Sequence, residues 1–252
     1  MDSSTPTFSV SAEPYRWPFD GQISPQRVAF VIIDMQADFC GAGGFLHAQG
    51  IDIAPARATI EPIRRVLELV RQIPDMLVVH TREGHRPELV DLQANKLWRS
   101  KQISDGIGAE GPLGKILIRG EPGSDIIPEL APIAGEPVID KPGKGAFYAT
   151  DLEHILRTLG ITHLVLAGLT TDVCVHSTLR EANDRGFECL MLTDATMATE
   201  LHHYEATMTM TTMQGGLFGA IASSGQLLEA LEPLITGIRA DPTRPQSEQA
   251  RA

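Results

Sequence analysis

Three residues of reactive type follow apolar segments of this sequence. Asp34 comes directly after VAFVII, Lys141 directly after PVID, and Cys174 shortly after HLVLAG. A carboxylate, an ammonium and a thiol at one place can perform nucleophilic catalysis, because the carboxylate takes the thiol proton and the lysine stabilises the charged pair. Each residue also has an interpretation without catalysis. Charged residues are common at strand ends, and free cysteines are usually buried as small apolar side chains. Lys144, in the turn after Lys141, is a second candidate for the ammonium group. Spacing along the chain does not decide between the two lysines.

The segment GLTTDVCVHSTLREA puts Cys174 near the start of a predicted helix. Unpaired N–H groups and the positive end of the helix dipole can lower the pKa of a thiol there and can bind an oxyanion. The other two cysteines differ. Cys189 alternates within an apolar strand and is predicted to lie in the core, whereas Cys40 lies in a glycine-rich loop that leaves its role open.

Alternating strand and helix patterns must position these residues. Apolar runs predict strands at 28–33, 76–80, 137–140, 163–168, 187–192 and 217–221, and helical spacing predicts helices at 54–72, 151–159, 173–185, 201–213 and 225–234. This alternation predicts an α/β fold with a parallel sheet that is covered by helices on both faces. Ligands of such sheets bind beyond the carboxyl ends of the strands, which is where Asp34, Lys141 and Cys174 stand.

The remaining segments divide the chain into an arm, one domain and a tail. Residues 1–26 are rich in Ser, Pro and Thr and show no sustained periodicity, which predicts an N-terminal arm. Residues 27–236 form the predicted domain, and 237–252 a flexible polar tail. The stretch 81–136 holds many charges and glycines and interrupts the alternation, so we expect a functional loop or an insertion.

Composition disfavours several classes of partner. The chain has 21 Lys plus Arg against 32 Asp plus Glu, a net charge of −11, which disfavours nucleic acids and anionic membranes. No apolar run approaches the roughly 18 residues that a membrane span needs, and the first residues do not follow a signal-peptide pattern. Three cysteines are too few for a disulfide framework. We therefore expect a cytoplasmic protein with free thiols.

The segments VIIDMQADF, IDKPGKGAF and AGLTTDVCVHSTLREA, in this order, resemble the isochorismatase-like cysteine hydrolase family over nearly the whole chain. The resemblance implies a three-layer α/β/α fold with a mostly parallel, Rossmann-like central sheet, and an oligomer, which we expect to be a homotetramer. It also implies that Asp34, Lys141 and Cys174 are the catalytic set. A cis peptide bond is implied between Leu169 and Thr170, with the backbone N–H groups of Thr170 and Cys174 as the oxyanion hole.

Within the family, several segments are most similar to the biuret hydrolases, which cleave biuret to allophanate and ammonia. These segments are HTREGHRPEL, ANKLWRS, RGEPGSDIIPEL, IDKPGKG, REANDRG and MQGGLFG. The similarity implies that Gln214 reads the distal ureido end of a small neutral substrate, that Phe39 walls the pocket and that Lys144 contacts a substrate carbonyl. A glutamine amide offers the donor and the acceptor that a neutral diamide needs. Each of these residues also has an interpretation without substrate contact: Gln214 at the end of a helix, Phe39 in the core and Lys144 as a solvated charge.

The histidines do not form a pattern of metal ligands. Nicotinamidases, a related group, hold a metal with an Asp and two His around an Asp-Trp-His motif. His80 and His85 lack that motif here, and the adjacent His202 and His203 cannot easily share one ligand sphere. We therefore expect neither a catalytic metal nor another cofactor.

Other functions stay open at this point. The substrate could be another small amide, such as triuret, ureidoacrylate or an N-carbamoyl amino acid. The acidic members of this group need a cation, which Arg82, Arg86 or Lys144 could supply. A non-catalytic binding protein with the same fold is the alternative from a different class, although such a protein has no need of all three reactive residues.

Overall fold

A parallel sheet of six strands forms the centre of the computed structural model, which describes residues 6–240. Its strands are β1 Val28–Ile33, β2 Leu77–Glu83, β5 Val138–Lys141, β6 His163–Leu169, β7 Glu188–Met197 and β8 Ala220–Ala222. They lie in the order β5-β2-β1-β6-β7-β8, and every neighbouring pair is parallel. Two short strands, β3 Glu110–Gly111 and β4 Gly114–Lys115, form a separate antiparallel pair.

Helices cover both faces of the sheet. They are α1 Ala37–Cys40, α2 Phe45–Ala48, α3 Ala54–Ala58, α4 Ile60–Val70, α5 Ala94–Ser100, α6 Leu152–Thr158, α7 His176–Asp184, α8 Leu201–Gly216 and α9 Ser224–Ala240. Residues of α4 and α9 belong to one buried cluster, and residues of α6 and α7 to another on the opposite face. The predicted three-layer α/β/α fold is therefore confirmed.

Strand β1 shows why its sequence is a continuous apolar run. All six of its residues are buried. Phe30 and Ile32 join the cluster under α4 and α9, whereas Val31 and Ile33 join the cluster under α6 and α7. Because successive side chains of a strand point to opposite faces, a strand that is covered on both sides has no position for a polar residue until it ends.

Two strands extend beyond the apolar runs from which they are predicted. Strand β2 continues past His80 to Glu83, and β7 continues to Met197. His80, Thr81 and Glu83 are buried although they are polar. The predicted helix 54–72 is divided into α3 and α4, and the predicted helix 173–185 follows a π-helical turn at Thr171–Val175.

The described part of the predicted N-terminal arm lies on the domain's own core. Trp17 is fully buried and packs edge-on against His163, with ring centroids 5.4 Å apart. Glu13 exchanges two backbone hydrogen bonds with Ile221 of β8, at 2.9 and 2.8 Å. The arm therefore pairs with a strand at the edge of the sheet, whose open backbone groups need partners.

The other end of the domain is helical to Ala240, so the first residues of the predicted tail belong to α9. The rest of that tail, 241–252, lies outside the described residues. Within 6–240, the helices are all too short or too polar to cross a membrane.

Gly168 positions the turn that carries the predicted nucleophile. Its φ is 112°, and a Cβ at this position would overlap the backbone oxygen of Ile33 on the neighbouring strand. Only glycine fits a left-handed residue in such close contact with another backbone. The end of β6 therefore lies directly against the end of β1, where Asp34 begins the next segment.

Candidate active site

The structure brings the three predicted catalytic residues together at the carboxyl edge of the sheet. Lys141 Nζ lies 2.7 Å from Asp34 Oδ2, and both side chains are fully buried. A carboxylate oxygen of Asp34 and the Sγ of Cys174 lie within 4.8 Å of each other. Cys174 is buried in the π-helical turn before α7. The three groups can therefore exchange a proton and share charge.

Asp34 is fixed from two sides. Its other carboxylate oxygen, Oδ1, accepts a hydrogen bond of 2.6 Å from the hydroxyl of Thr81 on β2. Its backbone N–H donates to the carbonyl of the same threonine at 3.1 Å. Asp34 has a φ of 51°, in the left-handed region that Asp tolerates better than most residues, and so the chain turns sharply as β1 ends.

Glu83 is a further buried charged residue at this site, and it is not among the residues predicted from the sequence. It is the last residue of β2 and pairs in register with Lys141 of β5. The Cys174 thiol donates to Glu83 Oε2 at 3.5 Å, and Lys141 Nζ lies 4.0 Å from the same oxygen. The apolar pattern predicts β2 only to residue 80 and so leaves Glu83 in a loop. The sequence offers only a weak signal for Glu83, which is an acidic residue three positions after the apolar run of β2.

Two further lysines hold Glu83. Lys96 of α5 and Lys144 approach Glu83 Oε1 at 2.7 and 2.9 Å. Lys96 also donates to the carbonyl of Pro142 at 2.6 Å, which ties α5 to the turn after β5. The predicted insertion 81–136 thus contributes to the site through both Glu83 and Lys96. Lys144 is half exposed, whereas Lys96 is mostly covered.

These contacts fix the ionisation of the site. Burial raises the pKa of the Cys174 thiol well above its ordinary value, although Lys141 opposes this effect. The expectation that the helix start lowers this pKa is therefore wrong, because the loss of solvent outweighs it. Burial alone would also raise the pKa of Glu83, but Lys141, Lys144 and Lys96 lower it to about 2. At neutral pH the resting site holds a protonated thiol and an ionised Glu83.

Two cavities lie beside these groups. A cavity of about 560 Å³ is lined by Lys144 and Phe39, by polar residues of α5 that include Lys96, and by mainly apolar residues of α2 and the 103–117 segment. A second cavity, of about 230 Å³, is lined by Phe39, Leu169 and Thr170. Phe39 therefore borders both cavities, and its predicted role as a wall of the substrate pocket stays a prediction. Lys144 lies at one cavity and Thr170 at the other.

The turn before Cys174 has the predicted cis peptide bond between Leu169 and Thr170. The carbonyl of Thr170 accepts hydrogen bonds from the N–H groups of Val173 at 3.2 Å and Val175 at 3.1 Å. The turn is thereby closed on itself beside the smaller cavity. The assignment of the Thr170 and Cys174 N–H groups to an oxyanion hole stays a prediction.

Gln214 stands apart from this group. It is exposed at a kink of α8, with a φ of 54°, and it lines neither of the two cavities. Within residues 6–240, no hydrogen bond joins its side chain to Asp34, Lys141 or Cys174. The predicted role of Gln214 in reading the substrate stays a prediction.

Of the histidines in this sequence, His80 and His85 each contact a different carboxylate, and His202 and His203 contact each other. His80 contacts Glu136 at 3.0 Å, and His85 contacts Asp91 at 3.3 Å. In the described part of the chain, the ligand atoms close enough to share a metal ion are those of Asp34, Glu83 and Cys174. The ammonium of Lys141 already neutralises the carboxylate of Asp34, so this group carries its own cation.

Comparison with known proteins identifies the family of this chain. Residues 28–224 match the model of the isochorismatase domain family. The ureidoacrylate amidohydrolase RutB of Serratia proteamaculans (strain 568) is 34% identical over 176 residues, which are 69% of this chain and 71% of that protein. RutB of Caulobacter segnis is 32% identical over 177 residues, which are 69% of this chain and 74% of that protein.

Solved structures have the same fold. A cysteine hydrolase from Pseudomonas syringae pv. phaseolicola 1448A superposes with a TM-score of 0.73 at 23% identity, over 92% of this chain and 99% of that one. The N-carbamoylsarcosine amidase of Thermoplasma acidophilum superposes with a TM-score of 0.59 at 26% identity, over 79% of this chain and 96% of that one.

Proposed function

Because this chain belongs to the isochorismatase family of hydrolases, we propose that it is a cysteine-dependent amidohydrolase that cleaves the terminal C–N bond of a small neutral ureide. The leading substrate is biuret, which would be converted to allophanate and ammonia. The observation that carries the proposal is the buried group of Cys174, Asp34 and Lys141, next to Lys144 and Thr170, each of which lines a cavity.

The first half of the proposed reaction forms a thioester. Asp34 takes the proton of the Cys174 thiol, and the thiolate attacks a terminal carbonyl carbon of the ureide. Lys141 keeps the carboxylate and the thiolate close together. The carbonyl oxygen becomes an oxyanion that the N–H groups of Thr170 and Cys174 receive. When the C–N bond breaks, protonated Asp34 gives its proton to the departing nitrogen, which leaves as ammonia.

The second half releases the acid. Asp34, which is again ionised, removes a proton from a water molecule, and the resulting hydroxide attacks the thioester carbonyl. The C–S bond then breaks, the proton held by Asp34 returns to the Cys174 sulfur, and allophanic acid leaves, which ionises to allophanate by giving its proton to ammonia or to the solvent. One water molecule is consumed for each ammonia and allophanate formed, and the enzyme returns to its starting state.

The charges around the thiol favour a neutral substrate. Lys141 is paired with Asp34, and Lys96 and Lys144 are both paired with Glu83. Arg82, which the sequence analysis considered as a cation for acidic substrates, is paired with Asp140 and Asp125. A substrate carboxylate that pairs with Lys141, Lys96 or Lys144 would have to displace the buried carboxylate of Asp34 or Glu83.

A ureido acid is the second candidate. The relatives named ureidoacrylate amidohydrolase favour it, and so does Arg99, which lines the larger cavity. Among residues 6–240, Arg99 has no side-chain ion pair or hydrogen bond. A carboxylate held by Arg99 would place the ureido end of the same molecule toward Lys144.

A substrate panel tests the proposal. We expect ammonia release from biuret to exceed that from triuret, ureidoacrylate, an N-carbamoyl amino acid and nicotinamide, measured as kcat/KM. Cys174→Ser should abolish the activity, whereas Cys40→Ser, which changes a buried cysteine outside the site, should retain it. Activity that survives Cys174→Ser would remove the covalent mechanism. A preference for ureidoacrylate would keep the chemistry and replace the substrate, and no turnover of any amide would favour a binding protein.

A further inference from the structure

Glu83 is a buried carboxylate that the proposed reaction does not use. Its two oxygens contact the Cys174 thiol and three ammonium groups, those of Lys96, Lys141 and Lys144. Only about 1% of its side chain is exposed. A buried carboxylate with so many cations nearby sets the charge of its surroundings, because little solvent is present to screen it.

The charge balance of the site depends on this residue. Three ammonium groups face two carboxylates, those of Asp34 and Glu83, so the site carries one net positive charge when the thiol is protonated. One positive charge suits a step in which an oxyanion forms. Without Glu83 the charge would be two, and Lys96 and Lys144 would both be left without their carboxylate partner at the wall of the larger cavity.

We propose that Glu83 limits the positive charge of this site: by pairing with both Lys96 and Lys144 it removes one unit of positive charge at the cavity wall, so that a carboxylate gains less there over a neutral molecule than it would without Glu83. This inference deepens the proposed function, on which it rests for the identity of the neutral substrate. The same carboxylate accepts the S–H hydrogen bond, so it also orients the thiol toward the lysines before reaction.

The test uses two alkylating agents of similar size and different charge. Iodoacetamide is neutral and iodoacetate is an anion, and the Cys174 thiolate displaces iodide from either one. The ratio of their rate constants at Cys174, divided by the same ratio for free cysteine at the same pH, reports the charge selectivity of the site. Peptide mass analysis assigns the label to Cys174 rather than to Cys40 or Cys189, which are also buried.

We expect Glu83→Gln to shift this ratio toward iodoacetate by at least about tenfold relative to the wild type. This substitution keeps the size and removes the charge. Adding Lys144→Met to Glu83→Gln should reverse most of the shift, because one of the released ammonium groups is then gone. Glu136→Gln is the matched control, because Glu136 is also ion-paired but lies outside the site. Arg71 and His80 lower the pKa of Glu136 to about 2, against the opposing effect of burial.

An unchanged ratio in Glu83→Gln, or an equal shift in Glu136→Gln, would overturn the proposal. If Glu83→Gln does not fold, Lys144→Met alone decides, because it leaves Glu83 with one cation fewer and should disfavour iodoacetate further. The alkylation ratio does not involve a ureide, so it stands even if none of the panel is hydrolysed. If ureides are hydrolysed, Glu83→Gln should also raise kcat/KM for the N-carbamoyl acid relative to biuret by a comparable factor.

Discussion

The ion pair between Asp34 and Lys141 permits a quantitative test of how the site is held together. Both side chains are fully buried, and their charged atoms are 2.7 Å apart. Asp34→Asn leaves the Lys141 ammonium without its nearest carboxylate, and Lys141→Met leaves the Asp34 carboxylate without an ammonium. Removing one partner of a buried ion pair costs about 3–5 kcal/mol, because the remaining charge is neither solvated nor compensated.

The double variant should behave differently from the sum of the single variants. After Asp34→Asn, the side-chain amide oxygen can still accept the hydrogen bond of Thr81, and Glu83 keeps Lys96 and Lys144 when Lys141 is replaced. No unpaired charge is left, so we expect the double variant to lose about as much stability as one single variant. The coupling free energy is then about 3 kcal/mol, at the upper end of the range for residues in contact.

Urea unfolding of the wild type, both single variants and the double variant measures this coupling from the transition midpoints. The exposed pair of Arg64 and Glu61 serves as the control, because a pair in contact with solvent should show almost no coupling. Stability losses at Asp34 and Lys141 that simply add would refute the reasoning. All three site variants should lack amidohydrolase activity, whatever their stability.

Three further predictions concern individual groups. Because burial raises the pKa of Cys174, iodoacetamide labelling of the free enzyme should have its pH midpoint above that of a free thiol, about 8.5, and a midpoint below about 7 would contradict the burial argument. The pKa of the Glu83 carboxylate is lowered to about 2, so its contribution to stability is complete above about pH 4.5 and is lost as the pH falls through 2. The stability of Glu83→Gln should therefore change less with pH over this interval than that of the wild type, as measured by acid unfolding. If Gln214 binds the distal ureido end, Gln214→Glu should lower kcat/KM for biuret at least about tenfold, since an unpaired polar group in a site costs about 1–3 kcal/mol. An unchanged kcat/KM would mean that Gln214 only forms the kink of α8.

Much of the fold could be predicted because its central strands are covered on both faces. Strands β1 and β6 are completely buried, so their sequences are continuous apolar runs whose ends are easy to locate. The first polar residue after β1 is Asp34, and a charged residue at that point is conspicuous. Lys141 is less easily found, because β5 is a partly buried edge strand in which the charged Asp140 precedes it.

Glu83 could not be found in the same way because β2 is polar at its carboxyl end. His80, Thr81 and Glu83 are buried, and each has a partner from a distant part of the chain: Glu136, Asp34 and Lys141 respectively. Such partners are invisible to local periodicity, which treats a run of polar residues as a loop. The direction of the Cys174 pKa shift is predicted wrongly for a related reason, since the sequence indicates a helix start but not how deeply it is buried.

The two carboxylates of the site differ in what they can do for the thiol. The acceptor of the S–H hydrogen bond is Glu83, yet this carboxylate contacts three ammonium groups and its pKa is lowered to about 2, which makes it a weak base. Asp34 contacts one ammonium and one hydroxyl. Glu83 is therefore suited to orient the thiol rather than to deprotonate it, and the proposed mechanism leaves the deprotonation to the second carboxylate of the site.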